Sequence, residues 1–403
     1  MMEVINVIDI QKFVIEIKQK YIEQTNDTEC VDLKKMITVL DTDLYNWFDQ
    51  CTVIVQRGVY ALITYSLIKG GETDLFSNPN SILRNCRGTV INMQTCELVL
   101  LPFQKFFNIN EIEECSMEVV IEKIKHAKII EITDKLDGSM IAMRYYNDGI
   151  FVGSTGSLSE RKNPRLKICR KFITDGHKKM FMDNSDWTFM FECILFKFPQ
   201  IVEYPKEKDG IYLIGARNIH TGETLPYYKL KELAEKYQIP MTEIDTHSLS
   251  EILTMRNNYK ANQKEGWVIR VDDTLYKMKC DDYLEMNKLL GTSPNVILRA
   301  WLAGVLDDAK AYYTNPYMIE YIESFERMFQ KFADINAQIV NQYYEQFKHI
   351  KDIKDFAIAV KQSKIPKKYK SFVMNKRNGI DNYYFHRVRY QKIVDFLNEH
   401  KDY

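Results

Sequence analysis

The chain has 403 residues, 45% apolar and 12% aromatic, which is long for one domain and enough to fill more than one core. Its 55 basic and 55 acidic side chains balance at a formal charge of zero, which excludes whole-chain attraction to nucleic acid and leaves that role to local patches. Eight scattered cysteines with no Cys-x-x-Cys pair exclude a zinc ribbon and a disulfide scaffold, and no apolar run nears the ~18 residues of a membrane span, so a soluble cytoplasmic protein with no membrane partner is expected.

In chain order, Ile10, Phe13, Val14, Ile17 and Tyr21 share one face of a helical period and predict an opening amphipathic helix. From Cys51 to about Ser157 short β-rich runs take over. Val53 to Val55 and Val59 to Leu67 flank Arg57-Gly58, and Thr89 to Ile91 and Leu98 to Leu100 flank a turn. Two further runs, Lys128 to Ile132 and Met140 to Tyr146, enclose Thr133-Asp134-Lys135-Leu136-Asp137-Gly138-Ser139, and Asn147-Asp148-Gly149 predicts a hairpin turn after them. A basic helical stretch over roughly Glu160 to Met182 follows. Strands return at Trp187 to Cys193, Ile211 to Ala216, Gly266 to Val271 and Thr274 to Cys280, interrupted by helices near Tyr228 to Lys236 and Leu249 to Asn257. Beyond about Tyr283 the strand signals stop; Pro294 to Ala311, Pro316 to Phe347, Asp352 to Gln362 and Ile380 to Lys401 read as helices. The fold class is therefore α+β, an antiparallel-sheet domain followed by an all-α domain, with the boundary placed at 288/289.

Lys135, expected between two paired strands with a carboxylate and a glycine close behind, is well placed to act as a nucleophile. Alone it is equally an ordinary solvated turn lysine. Five further features accompany it. Arg87 and Gly88 stand at the mouth of a strand, and Lys105 stands among Phe103, Phe106 and Phe107. Glu192 lies inside the apolar run Phe189 to Ile194, where an unpaired buried carboxylate costs several kcal/mol. Glu265-Gly266 opens a strand, and in Tyr276-Lys277-Met278-Lys279 the period of two aims both lysines at one face. Like charges sharing a face repel, which a bound phosphate would reverse.

The order Cys86-Arg87-Gly88, Lys105-Phe106-Phe107-Asn108, Lys135-Leu136-Asp137-Gly138-Ser139, Phe191-Glu192, Glu265-Gly266 and Lys277-Met278-Lys279 with Tyr283 resembles the phage-type RNA ligase one family. That family belongs to the covalent nucleotidyltransferase superfamily of ATP-dependent polynucleotide ligases. The resemblance spans residues of about 50 to 290 and extends weakly to Asp307-Asp308-Ala309-Lys310. It implies an adenylyltransferase domain over 1–288 and a helical domain over 289–403 that bears on RNA choice. It implies ATP-dependent joining of RNA 5′-phosphate and 3′-hydroxyl ends through AMP on Lys135, in RNA or tRNA repair, with magnesium or manganese as the metal and a monomeric chain.

By the same resemblance, Lys277 and Lys279 face the α-phosphate and pyrophosphate, and Arg87 and Lys105 face the outer phosphates. Glu192 lies beside the sugar, Glu265 beside the metal, and Asp137 orients a hydroxyl. Gly138 and Phe107 border the nucleotide, and Asp307 with Asp308 joins Glu265 at the metal. A lysine near its ordinary value of ~10.4 is about one part in a thousand neutral at pH 7, so Lys135 is expected to have a depressed pKa through Lys277, Lys279 and the metal. One departure stands out: Thr155 occupies a position ahead of Gly156-Ser157 where the family often has a basic residue.

Residues 361–392 carry ten Lys or Arg and one Asp, a net of +9, interleaved with Tyr369, Phe372, Tyr383, Tyr384 and Phe385. Lys367, Lys368, Lys370, Lys376 and Arg377 are the RNA-contacting candidates there, with the aromatics for base stacking. A DNA ligase, a GTP-dependent capping enzyme and a nucleotide- or RNA-binding protein without turnover are the competing readings. Ligases of DNA and capping enzymes usually follow the Lys-x-Lys strand with a β-barrel, whereas this chain turns helical.

Overall fold

The computed structural model describes residues 8–66, 76, 81–290, 293–380 and 388–401. They form two compact units, one ending at Leu284 and the other starting at Glu285.

The first unit opens with the expected helix, Ile8–Thr25, which buries Ile10, Val14, Ile17 and Tyr21. Two shorter helices that the sequence reading did not assign follow, Leu33–Leu40 and Asp43–Cys51. Asp32 and Thr42 cap their first turns, each side chain accepting a backbone N–H bond. The strands are β1 (Thr52–Arg57), β2 (Tyr60–Tyr65), β3 (Arg87–Asn92), β4 (Glu97–Leu100), β5 (Phe107–Asn108), β6 (Ile130–Lys135), β7 (Ser139–Tyr146), β8 (Gly149–Ser154), β9 (Trp187–Ile194), β10 (Gly210–Asn218), β11 (Gly266–Val271) and β12 (Thr274–Lys279). They build three four-stranded sheets in the orders β1-β2-β3-β4, β10-β9-β7-β8 and β5-β12-β11-β6. All pairings are antiparallel except the short β12–β5 contact.

This topology corrects one expectation. The strands on either side of Lys135 are not paired with each other: β6 is the edge of one sheet and β7 an inner strand of another. Leu136-Asp137-Gly138 carries the chain across. Gly138 packs so tightly on β9 that a Cβ there would lie 2.4 Å from the Cys193 carbonyl oxygen. The glycine is required by the crossing itself. The β7–β8 turn forms as expected, although its two central residues are Asn147 and Asp148, both at positive φ, and Gly149 opens β8.

Behind the β7–β9–β10 face lies an apolar core of Ile141, Met143, Phe189, Phe191, Leu213 and the inner sides of helices Pro164–Cys169, Asp175–Asp183 and Tyr227–Tyr237. The basic stretch is thus two helices with a tighter turn between them, and Glu160 to Asn163 are not helical. Cys169 and Cys193 are joined there as a disulfide between helix and β9, which their spacing of 24 residues did not reveal; the other six cysteines are free thiols.

The second unit is helical. Its core gathers Ile297, Leu298, Ile322, Phe329, Phe332, Phe356, Val373 and Ile393 around the helix Pro316–Glu345. The run read as Pro294 to Ala311 breaks at Gly304, whose φ of +73° ends one helix at Leu302 before another starts at Leu306. The closing helix covers Tyr390–Glu399, and residues 381–387, including Tyr383, Tyr384 and Phe385, lie outside the described set. No helix among the described residues is long and apolar enough to cross a membrane.

Candidate active site

The pleat of the β6–β11–β12 face aligns nine residues in three rows. Lys135 pairs with Gly266, which pairs with Lys279; Thr133 pairs with Val268, which pairs with Lys277; Glu131 pairs with Arg270, which pairs with Leu275. Side chains two residues apart point the same way. Eight of the nine residues, all but Gly266, line a cavity of about 300 Å³ that Arg87, Phe103, Phe106, Met140 and Glu192 help to close. Tyr276 and Met278, on the opposite side of β12, are buried, as the alternation requires.

Gly266 is the hinge of this arrangement. Its φ is +147°, and a Cβ there would lie 2.1 Å from the Met278 carbonyl oxygen. Only glycine lets β12 approach closely enough to bring Lys279 and Lys135 to the same carboxylate. That carboxylate is Glu265, 4% exposed: Lys135 Nζ donates to Oε2 at 2.7 Å, and Lys279 Nζ lies 2.9 Å from Oε1. Burial works to raise the Glu265 carboxyl, and the two ammonium groups overturn this and hold it below its ordinary value.

The expected depression of the Lys135 amine is not found. Burial pulls it down, but Glu265, Glu192 and Asp137 outweigh burial and keep its pKa above the ordinary lysine value. The depressed amine is Lys277. It is buried beside Arg87, Lys105 and Lys135, all positive, and it falls well below its ordinary value. Its Nζ donates to the Phe106 carbonyl at 3.0 Å and sits 4.4 Å from the centre of the Phe106 ring. Arg87 lies 5.6 Å from the same ring. This concentration of cations favours an anion in the cavity.

Glu192 points into the cavity, with Phe191 and Cys193 buried on the other side of β9. The Gly138 N–H donates to its Oε1 at 3.0 Å. Burial, reinforced by Glu265 and Asp137, pushes its carboxyl up to about 8 against the pull of Lys135. A largely protonated Glu192 can donate a hydrogen bond as well as accept one.

Three sequence-derived assignments change. Asp137 is not on the cavity wall: Oδ2 accepts the N–H groups of Ile201 (3.0 Å) and Val202 (2.9 Å), and Oδ1 accepts the Tyr283 hydroxyl (3.1 Å). It latches the loop after Lys135 to its surroundings. Phe107 is buried against Phe76 and under Arg84, so Phe103 and Phe106 line the cavity in its place. Lys105 stands outside the wall, 3.3 Å from Glu111, and acts on Lys277 through its charge.

Several cavity residues escaped the sequence reading. Glu131 and Arg270 form an ion pair at 3.3 Å, and the Tyr227 N–H donates to both Glu131 oxygens at 2.8 Å. Thr133 and Tyr227 line the same end, and Asp134, paired with Lys264, accepts the Thr242 hydroxyl at its carbonyl at 2.8 Å. The signal was available: Glu131, Thr133 and Lys135 alternate with Ile130, Ile132 and Asp134 along one strand.

Among the described residues no three His, Cys, Asp or Glu side chains are spaced to hold a metal ion. Glu265 faces two lysines, so a divalent metal ion held here would take most of its ligands from water or a bound anion and not from protein side chains. Asp307 and Asp308 belong to the helical unit, where Asp307 pairs with Lys310 at 2.7 Å. In that unit Tyr369 and Phe372 are buried in the core and are not available to stack on bases. Lys370 donates to the Lys361 and Ser363 carbonyls and closes the end of the helix Ile353–Gln362, and Arg377 donates to the Ile350 and Lys351 carbonyls in the loop before that helix. Lys367 and Lys368 remain exposed, and Lys376 is half-buried over Tyr344.

Residues 85–284 match the family model described as RNA ligase. RNA ligase 1 of Bacteriophage TS2126 is 26% identical over 262 residues, 62% of this chain and 62% of that protein. A relative in Autographa californica nuclear polyhedrosis virus, whose name pairs a polynucleotide kinase with an RNA ligase, is 25% identical over 256 residues, 58% of this chain and 35% of the relative. The chain thus spans less than two thirds of the length of these relatives. The solved structure of an archaeal ATP-dependent RNA ligase is similar at a TM-score of 0.47 and 13% identity, over 77% of each chain. The matched segment runs from just before Arg87 to just past Tyr283, the span that contains every cavity residue, and it is over this segment, about half of the chain, that the sequence is similar to the RNA ligase family.

Proposed function

We propose that this protein is an ATP-dependent RNA ligase that joins RNA 5′-phosphate and 3′-hydroxyl ends through AMP held covalently on Lys135. The supporting observation is the register that sets Lys135, Lys277 and Lys279 on one face, with Lys135 and Lys279 sharing a single buried carboxylate and Lys277 one row along. Phosphoryl transfer needs position and neutralisation of spreading charge more than it needs bond-making groups.

In the first step the neutral Lys135 amine forms a bond to the α-phosphorus of ATP, the bond to the bridging oxygen breaks, pyrophosphate leaves and the amine proton passes to Glu265 or water. Lys277, with Arg87 beside it, stabilises the negative oxygens, and Lys279 approaches from the other side. A divalent metal ion, when bound, supplies charge neutralisation at the phosphates. In the second step an RNA 5′-phosphate oxygen takes the adenylate from Lys135, and in the third the 3′-hydroxyl displaces AMP and seals the strand. Glu192 holds the nucleoside sugar, and Glu265 would help to hold a divalent metal ion when one is bound.

The test is incubation with radiolabelled ATP and magnesium, followed by denaturing electrophoresis and a sealing assay on nicked RNA, single-stranded RNA ends and nicked DNA. A covalent adduct with ATP and sealed RNA are expected. Labelling by GTP alone points to capping chemistry, sealing of nicked DNA alone to a DNA ligase, and no adduct with any nucleotide to a binding protein.

A further inference from the structure

We infer that the segment from Ser154 to Lys171 of the catalytic unit is a docking surface for the RNA strand next to the joining site. This rests on the reading of the chain as an enzyme that acts on RNA ends. Between Glu160 and Lys171 there are six Lys or Arg and one Glu, a net of +5 in a chain whose overall charge is zero. Glu160 is committed to Arg170 at 2.8 Å. Arg161, Lys162, Lys167 and Lys171 are exposed, and none of these four pairs with a carboxylate among the described residues. Four solvated cations crowded together favour a polyanion.

The segment is fixed to the active site at two points. At one, Asn163 Nδ2 donates to Ser154 Oγ at 3.3 Å, and Thr155 packs against Gly88 so tightly that a Cβ on Gly88 would lie 2.8 Å from the Thr155 Cα. Gly88 follows Arg87, which lines the cavity. At the other, the Arg165 guanidinium lies 5.2 Å from the centre of the Phe198 ring, in the loop whose Ile201 and Val202 amides hold Asp137. The segment therefore abuts the strand that carries Arg87 and the loop that holds Asp137. Thr155 brings no charge to this margin, and the lysines and arginines that follow it do.

Nucleic acid is favoured over an anionic lipid surface by what the segment encloses. A second hollow of about 350 Å³ is lined by Tyr60, Ile150, Phe151 and Leu166 and bordered by Arg57, Glu160 and Arg170, with Arg57 donating to the Leu158 carbonyl and Arg170 to Glu160 and the Ile150 carbonyl. A small hollow that joins aromatic rings to arginines suits an unstacked base beside its phosphate; a membrane would need an exposed apolar face.

The experiment is fluorescence anisotropy of a labelled, 5′-phosphorylated single-stranded RNA with the full chain across a salt series. The variant Arg161→Ala, Lys162→Ala, Lys167→Ala, Lys171→Ala is compared with one carrying Lys, Arg, Arg and Arg at the same positions. The alanine variant is expected to bind roughly tenfold or more weakly, with the slope of log affinity against log salt reduced by about 3, given ~0.7 per phosphate contact on a single strand. The charge-keeping variant is expected to bind as the parent does, and matching melting curves exclude unfolding as the cause. Unchanged affinity and slope in the alanine variant, or binding by the parent of phosphatidylserine vesicles and not RNA, overturns the inference. Adduct formation on radiolabelled ATP by the parent chain, measured without RNA, reports separately on the ligase reading.

Discussion

Lys135 Nζ stands 2.7 Å from Oε2 of the buried Glu265, and that contact bears on the charge of the amine proposed to take AMP. Burial alone would favour the neutral nucleophile; the carboxylates around it, Glu265 foremost, reverse this. In the free protein the amine is therefore a resting ammonium. Adduct formation at subsaturating ATP is expected to rise with pH on a limb that extends into the alkaline range. Glu265→Gln removes the strongest opposing charge, so the limb is expected to move to lower pH while the maximum rate falls. Stopped-time labelling across pH checks this, and a limb that stays in place or moves upward counts against it.

Gly266→Ala tests the register. The positive φ strains any side chain by about 1–3 kcal/mol, and the Cβ overlap with the Met278 carbonyl adds to it. Urea unfolding is expected to show a loss of at least that size, with adduct formation reduced further because Lys279 is displaced from Glu265. A variant as stable and active as the parent means that β12 can bind without this close approach.

Lys277→Met tests the cation cluster. Removal of one preorganised donor at a charge-developing centre costs about 10²–10³ in rate, and a loss of that order is expected in adduct formation. Lys277→Arg keeps the charge and should recover part of the rate. An effect under about threefold for the methionine variant would remove Lys277 from the phosphate site.

Glu192 makes stability depend on pH in a direction opposite to that of most carboxylates. Its folded-state value of about 8 lies above the unfolded value of 4.5, so between them the folded protein holds a proton that the unfolded chain has lost. The contribution is complete below pH 4.5 and fades as pH rises toward 8. Glu192→Gln is expected to flatten the decline of the urea midpoint over this range. An unchanged decline would mean that Glu192 is ionised in the folded protein.

Much of the fold was readable because its cues are local. The β3–β4 and β7–β8 hairpins, the paired strands β11 and β12 and the long helix Pro316–Glu345 each follow from a run of one period with a turn residue or cap at its end. The partnership of strands is not local. Nothing in Leu136-Asp137-Gly138 states that β6 and β7 lie in different sheets; the cause is 54 residues away, in the Glu192 side chain and the Cys193 backbone that Gly138 meets.

The site divides the same way. Arg87, Lys135, Glu192, Lys277 and Lys279 could be named from their motifs, and alternation put both lysines of β12 on one face. Charge balance could not be read, because the raised Lys135 and the depressed Lys277 depend on which neighbours are within a few ångströms. The contacts of Asp137 were hidden for a related reason: a carboxylate two residues after Lys135 gives no sign in sequence of the Ile201, Val202 and Tyr283 bonds that make it a latch. In the helical tail, a basic stretch with aromatics resembled a stacking surface until Tyr369 and Phe372 proved to be core.

The most direct measurement is the position of the adenylate. The contrast between the two lysines makes it decisive, since Lys277 has the amine with the depressed pKa while Lys135 has the position. Mass spectrometry of peptides from the covalent adduct is expected to find AMP on Lys135 alone, with none formed by Lys135→Ala. AMP on Lys277, or an adduct that survives Lys135→Ala, would contradict the assignment of Lys135 as nucleophile.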